Sequence, residues 1–284
     1  MIDLKALRDL LKEEIGEAEA RVQSAVKRSL PGATEDAITT LFVNEAEGGL
    51  EEATNRGRIA VAVRSDLERA FRDRGCSPPG RLKHLTDGLV ARVRKQQPSE
   101  ERRTGGDFGL LVVEPQFQLR WGEQLLLRRG GFKQGLLVQA KRRGLDGRWN
   151  QLTSTQEENL PERQAYTAVV LFEFNQSNPR DLCSFRWYPI ADYLVSEVSR
   201  WLKLGEFPEA IDTVAIVDSL SRRELGTDDE EIISREICPE AGEYLVIEID
   251  WKDGQDPKDL IFSVNRETLT RRAGASRVRM KVRA

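Results

Sequence analysis

Two short segments carry side chains whose types and spacing suit a hard metal ion beside a proton donor. Asp107 follows Thr104-Gly105-Gly106 and leads into the apolar run Phe108–Val113. Gln139 and Lys141 stand two apart in Gly135–Lys141, whose apolar interior reads as a strand in a sheet covered on both faces. Alternation along a strand sends Gln139 and Lys141 to one face and Ala140 to the other. A carboxylate, an amide oxygen and an ammonium converging at one sheet edge can hold a divalent cation and a water. Carboxylate and carbonyl oxygens suit Mg²⁺, which polarises a phosphoryl oxygen and acidifies its bound water, while the lysine orients that water or neutralises developing charge.

Composition narrows the alternatives. The chain has 284 residues and a single histidine, His84. Cys/His zinc sites and paired-histidine phosphodiester chemistry are therefore close to excluded, and a Ser-His-Asp or Cys-His triad would rest on His84 alone. The sequence holds neither G-x-x-x-x-G-K-[ST] nor G-x-G-x-x-G, so nucleotide hydrolysis and dinucleotide binding have no support. Cys76, Cys183 and Cys238 are isolated and lack C-x-x-C spacing, which suits a reducing cytoplasm. No apolar run approaches the roughly 20 residues of a membrane span, and the opening MIDLKALRDLLKEE has no apolar stretch of signal-peptide type.

The net charge of −3 conceals uneven blocks. Residues 54–103 hold thirteen Lys/Arg against six Asp/Glu, and residues 117–148 hold eight against two. Residues 226–259 reverse this, with three against twelve. The basic stretches could face a polyanion, or could be solvated helix faces.

The positioning elements follow from periodicity. Leu4, Leu7, Leu11, Ile15, Ala18, Val22 and Val26 recur every three or four residues, which predicts an amphipathic helix over 3–29. A second helix is expected after a Thr34 N-cap, stopping near Gly48-Gly49, a third to about Arg74, and a fourth over Leu82–Lys95. Strands are expected at Phe108–Val113, Leu125–Leu127, Gly135–Lys141, Tyr166–Phe174 and Leu182–Tyr188. Helices at Gln151–Leu160, stopped by Pro161, and at Ile190–Leu204 interleave with them. Further strands are expected at Thr213–Val217, Tyr244–Trp251 and Leu260–Val264, with Arg277–Arg283 as an exposed edge. The tryptophans are expected to pack in cores.

Taken together, an acidic helix, Gly105-Gly106-Asp107-Phe108 and then Gln139-Ala140-Lys141 resemble the PD-(D/E)xK nuclease superfamily. The likeness is to its Q-x-K variety, similar to Mrr-type restriction and anti-phage effector nucleases, and covers roughly residues 34–188. It implies an α/β fold with a restriction-endonuclease-like core, a mixed central sheet flanked by helices. To that core are added an N-terminal helical region (1–33, the core being 34–195 with a helical segment at 50–96) and a C-terminal α+β extension (196–284). It implies a metal-dependent endonuclease that hydrolyses DNA phosphodiester bonds with Mg²⁺ or Mn²⁺ in prokaryotic restriction or anti-phage defence.

By the same resemblance Asp107 would be the central metal ligand. Gln139 would offer its side-chain oxygen where most relatives place Glu, Ala140 its backbone carbonyl, and Lys141 would be the catalytic lysine. The family also uses a helix glutamate. Glu35 opens Glu35-x-x-Ile38-Thr39-x-x-Phe42, which looks like the opening of some Q-x-K relatives; Glu45 and Glu47 lie on the same helix. Gln156 would support the site or contact the nucleic-acid backbone, and Arg142 and Arg143, directly after the lysine, could reach a phosphate backbone or form a solvated strand exit. The implied partners are DNA and a defence-system helicase, ATPase or sensor, with no membrane; a homo-oligomer is left open. Because Gln139 removes one negative charge, the alternative is a non-catalytic nucleic-acid-binding or scaffold subunit that keeps the nuclease fold.

Overall fold

The computed structural model describes residues 3–30, 32–73, 91–115, 125–127, 131–144, 146–175, 177–191, 193–238, 244–251, 261–267 and 280–281. The protein is a mixed α/β structure built on a five-stranded sheet flanked by helices. The strands of that sheet are β1 (Ala91–Lys95), β2 (Phe108–Pro115), β4 (Gly131–Arg142), β5 (Thr167–Asn175) and β6 (Asn178–Pro189), in the spatial order β1-β2-β4-β5-β6. Only β4 and β5 run parallel; the other three pairs are antiparallel. A separate antiparallel sheet pairs β3 (Leu125–Leu127), β7 (Tyr244–Trp251), β8 (Ile261–Glu267) and β9 (Met280–Lys281) in the order β3-β7-β8-β9.

Strand alternation divides the main sheet into two apolar faces. Leu110, Val112, Leu136, Val138, Ala140, Val170, Phe172 and Trp187 point to one face. There they form a continuous core with α1 (Lys5–Ser29), α2 (Glu35–Asn55), α3 (Arg58–Arg72) and α7 (Thr213–Ser221). Helices far apart in the sequence, α1 and α7, thus share one core. The side chains between them point to the other face. Leu111 and Leu137 meet Ile233 and Ile237 of a π-helical turn, Ile233–Ile237. Val169, Leu171 and Tyr188 meet α6 (Val195–Leu204) and Leu160.

Local chemistry explains the helix starts. The amides at the start of α1 would be orphaned inside the core, and the fully buried Asp66 accepts from Ala6 N at 3.0 Å and Leu7 N at 3.1 Å. Thr34 caps α2 through Oγ1, which accepts from Ala37 N at 3.2 Å.

Several expectations are corrected. The chain over Ala91–Lys95 is the strand β1, not the end of a helix. Ala91 and Val93 are buried while Arg92, Arg94 and Lys95 are not, so the period is two. Residues 74–90, with the rest of that expected helix and His84, lie outside the described residues. Thr213–Val217 is helical: Asp212 accepts from Ala215 N at 2.7 Å and starts α7, overriding its β-branched content. The second helix runs through Gly48-Gly49 to Asn55, and it packs on α1 at Gly49, where a Cβ would meet the ends of the Arg21 and Glu14 side chains. The helix at Gln151–Leu160 is only α5 (Ser154–Asn159), and Pro161 does not stop the chain's winding. A 3₁₀ helix follows at Leu160–Tyr166, with the proline in its first turn where no N–H is needed.

Candidate functional site

The site forms where β2 is shorter than β4. The helix α4 (Pro98–Thr104) ends at Gly105, and Gly106 crosses so near Leu137 that a Cβ there would lie 2.4 Å from its Cδ1. This close approach sets Asp107 at the mouth of β2. Its N–H donates to Val138 O at 2.8 Å and its carbonyl accepts from Gln96 N at 2.8 Å. Pairing between β2 and β4 begins at Phe108 and Val138, so Ala140 has no β2 backbone partner. The Asp107 carboxylate takes that place: Oδ2 accepts from Ala140 N at 2.5 Å.

The Gln139 side chain is fully buried. Its Nε2 donates to Asp107 Oδ2 at 2.5 Å and to Ala140 O at 2.9 Å, and its Oε1 is buried with no hydrogen-bond partner. A carboxylate oxygen and a backbone carbonyl therefore converge on the point where this amide nitrogen sits. Turning the amide over would bring Oε1 to the same point, making three oxygens that only a cation could reconcile. This hard-oxygen set fits Mg²⁺ or Mn²⁺. Among the described residues no three His, Cys, Asp or Glu side chains cluster, so the donor set depends on an amide and a backbone carbonyl.

Burial above all pushes the Asp107 carboxyl up, with Glu35 adding to the rise and Lys141 and the Ala140 amide opposing it, to a net value of about 8. Lys141 is itself buried, and its Nζ stands 3.4 Å from Glu35 Oε1. The other oxygen, Glu35 Oε2, accepts from Arg142 N and from Asn150 Nδ2, both at 2.9 Å.

Glu35, Asp107, Gln139, Ala140 and Lys141 thus lie together at one end of β4. The other two helix acids do not join them: Glu45 pairs with Arg21 at 2.8 Å, and Glu47 accepts from Val93 N. Gln156 is buried in a capping box, its Oε1 accepting from Thr153 N at 3.0 Å, and does not face solvent. Arg142 turns to the helix-covered face, its guanidinium 4.8 Å from the Phe174 ring centroid with Nε and Nη2 buried. Arg143 turns the other way, into a cleft, with Nε donating to Gly147 O at 2.7 Å.

Asn150 escapes the sequence reading. It reaches Glu35 because a tight turn folds Trp149 back onto Arg143 and lets Asn150 N donate to Arg142 O at 2.9 Å. The Asp146-Gly147 pair in that turn is the local signal that points to it.

No protein-family model matches the chain, and no curated protein matches it.

Proposed function

We propose that the protein is a metal-dependent endonuclease that hydrolyses DNA phosphodiester bonds, built on a restriction-endonuclease-like core and serving prokaryotic defence. The observation that carries this reading is the convergence of Asp107 Oδ2, Ala140 O and the Gln139 amide one residue from Lys141, with Glu35 on the far side of that lysine. Asp107, Ala140 O and Gln139 Oε1 would hold the ion, which when bound supplies Lewis acidity at the phosphate and a more acidic water. Lys141 places a positive charge beside the attacked phosphate, and burial keeps that charge from being screened. Glu35 holds the lysine tip and the start of the 143–149 turn, so the charge is aimed before substrate arrives.

Supercoiled plasmid tests the reading. Nicking or linearisation by the wild type with Mg²⁺ or Mn²⁺, lost with chelator and in Lys141→Met, is the expected result. Silence in every condition would favour the second reading, a nucleic-acid-binding subunit that keeps the fold without cutting. One observation speaks for that alternative: the Gln139 amide satisfies Asp107 and Ala140 O with no ion.

A further inference from the structure

Beyond Lys141 the same strand runs into an open cleft of about 860 Å³. Arg143, Arg148, Arg186 and Lys203 line it, with Trp149 and Phe207 as its aromatic wall. Glu173 is the only acid among the described lining residues, and it is engaged by Arg186 Nη1 at 3.7 Å. Among the described residues Arg143, Arg148 and Lys203 pair with no carboxylate; Arg148 and Lys203 are exposed. The Arg186 guanidinium lies over the rings of Tyr188, at 5.6 Å, and Phe207, at 6.0 Å. A guanidinium so placed, beside Phe207, offers a flat surface for stacking as well as charge.

We propose that this cleft seats unpaired nucleotides of a nucleic-acid strand passing through the candidate catalytic site, a proposal that rests on the nuclease reading. Three features select this ligand. The excess of cations calls for a polyanion, while the half-buried Phe207 ring and Arg186 guanidinium in the lining would add nothing against phosphate alone. The volume lies within the range of small-ligand sites, about 300–1,000 Å³, which suits a short run of nucleotides. The cleft also begins at Arg143, two residues from Lys141 and so about 7 Å along the strand, which puts the phosphates next to a cut bond within its reach. The substrate class is therefore DNA with a single-stranded or unstacked segment beside the scissile phosphate.

Fluorescence anisotropy in chelator separates this proposal from the nuclease reading, because binding is measured with no cleavage. The probe is a labelled ten-residue oligothymidylate, competed by a duplex of the same length and by inorganic polyphosphate. The double variant Arg148→Glu/Lys203→Glu, on exposed side chains, should bind the oligothymidylate at least tenfold more weakly. Its salt dependence should be shallower by about 1.4 in log–log slope, two phosphate contacts at the single-strand value. Phe207→Ala should weaken oligothymidylate binding and leave polyphosphate binding unchanged. Unchanged affinity in the charge-reversed variant, tighter binding of the duplex by the wild type, or no wild-type binding at micromolar protein would each overturn the proposal. Plasmid nicking that survives such a result would keep the nuclease reading standing without this cleft.

Discussion

Asp107 and Glu35 accept hydrogen bonds from alternate amides of one strand: Asp107 from Ala140 N at 2.5 Å and Glu35 from Arg142 N at 2.9 Å. The two carboxylates occupy the edge of β4 that β2 leaves open, with Lys141 between the amides they bind. The strand edge thus fixes the spacing of the acids and keeps the lysine's charge beside them. Without that lysine the Asp107 carboxyl would be pushed higher still, since Lys141 is the stronger of the groups that oppose the rise.

Lys141→Met removes the charge while keeping the volume of a buried chain. Cleavage should fall at least a hundredfold, with the melting temperature shifting by only a few degrees. A metal-dependent plasmid assay and a thermal melt, run side by side, check this. Near-wild-type cleavage would remove Lys141 from the chemistry.

Gln139→Glu adds a carboxylate at the convergence point. Mn²⁺ affinity by titration calorimetry should rise at least tenfold, since Glu supplies both an anionic oxygen and the missing charge. In chelator the same variant should melt below the wild type, because Glu lacks the Nε2 donor that Gln139 gives to Asp107 Oδ2 and Ala140 O. An unchanged affinity would mean that Gln139 faces no ion.

Asp107 gives a pH prediction with a definite sign. Burial raises its folded-state value to about 8, above the 3.8 of a free side chain. Between those values the folded protein keeps a proton that the unfolded chain has lost, so this group makes stability fall as pH rises from about 4 to 8 and level off beyond. Melting curves in chelator from pH 5 to 9 should show that decline in the wild type and a flatter profile in Asp107→Asn. Metal binding displaces the same proton, so Mn²⁺ affinity should climb about tenfold per pH unit below 8.

The structural frame can be tested apart from the chemistry. Asp66→Ala would strip the buried cap from Ala6 N and Leu7 N and leave those amides unsatisfied. A loss of about 2–3 kcal/mol in urea unfolding is expected. Gly109→Ala would set a Cβ 2.0 Å from Ile237 O, against the backbone of the π-helical turn. That turn should lift from the sheet, seen as faster proteolysis within residues 227–238.

How much of this was readable in the residues depends on the range of each signal. Asp107, Gln139 and Lys141 announced themselves because glycines before a strand and i, i+2 alternation are local patterns. Glu35, Glu45 and Glu47 share one helix, and only the crossing of α2 over the end of β4 brings Glu35 to Lys141, a contact between residues 106 apart. Periodicity erred at Ala91–Lys95 and Thr213–Val217 because five residues fit either a helix or a strand until a partner chooses. For Ala91–Lys95 the partner is β2, and for Thr213–Val217 the Asp212 cap decides. Arg142 and Arg143 look equivalent in the sequence. One lies over Phe174 and the other lines the cleft, because adjacent strand residues face opposite ways.

The most direct test of the central claim is the single-turnover rate at which the wild type cuts an end-labelled duplex carrying a single-stranded flank, with Mg²⁺, Mn²⁺ or chelator, against Asp107→Asn and Lys141→Met. The account predicts cleavage by the wild type only with a divalent ion, and at least a hundredfold loss in both variants while their folds remain intact by circular dichroism. Cleavage that persists in chelator, or at the wild-type rate in either variant, would contradict it.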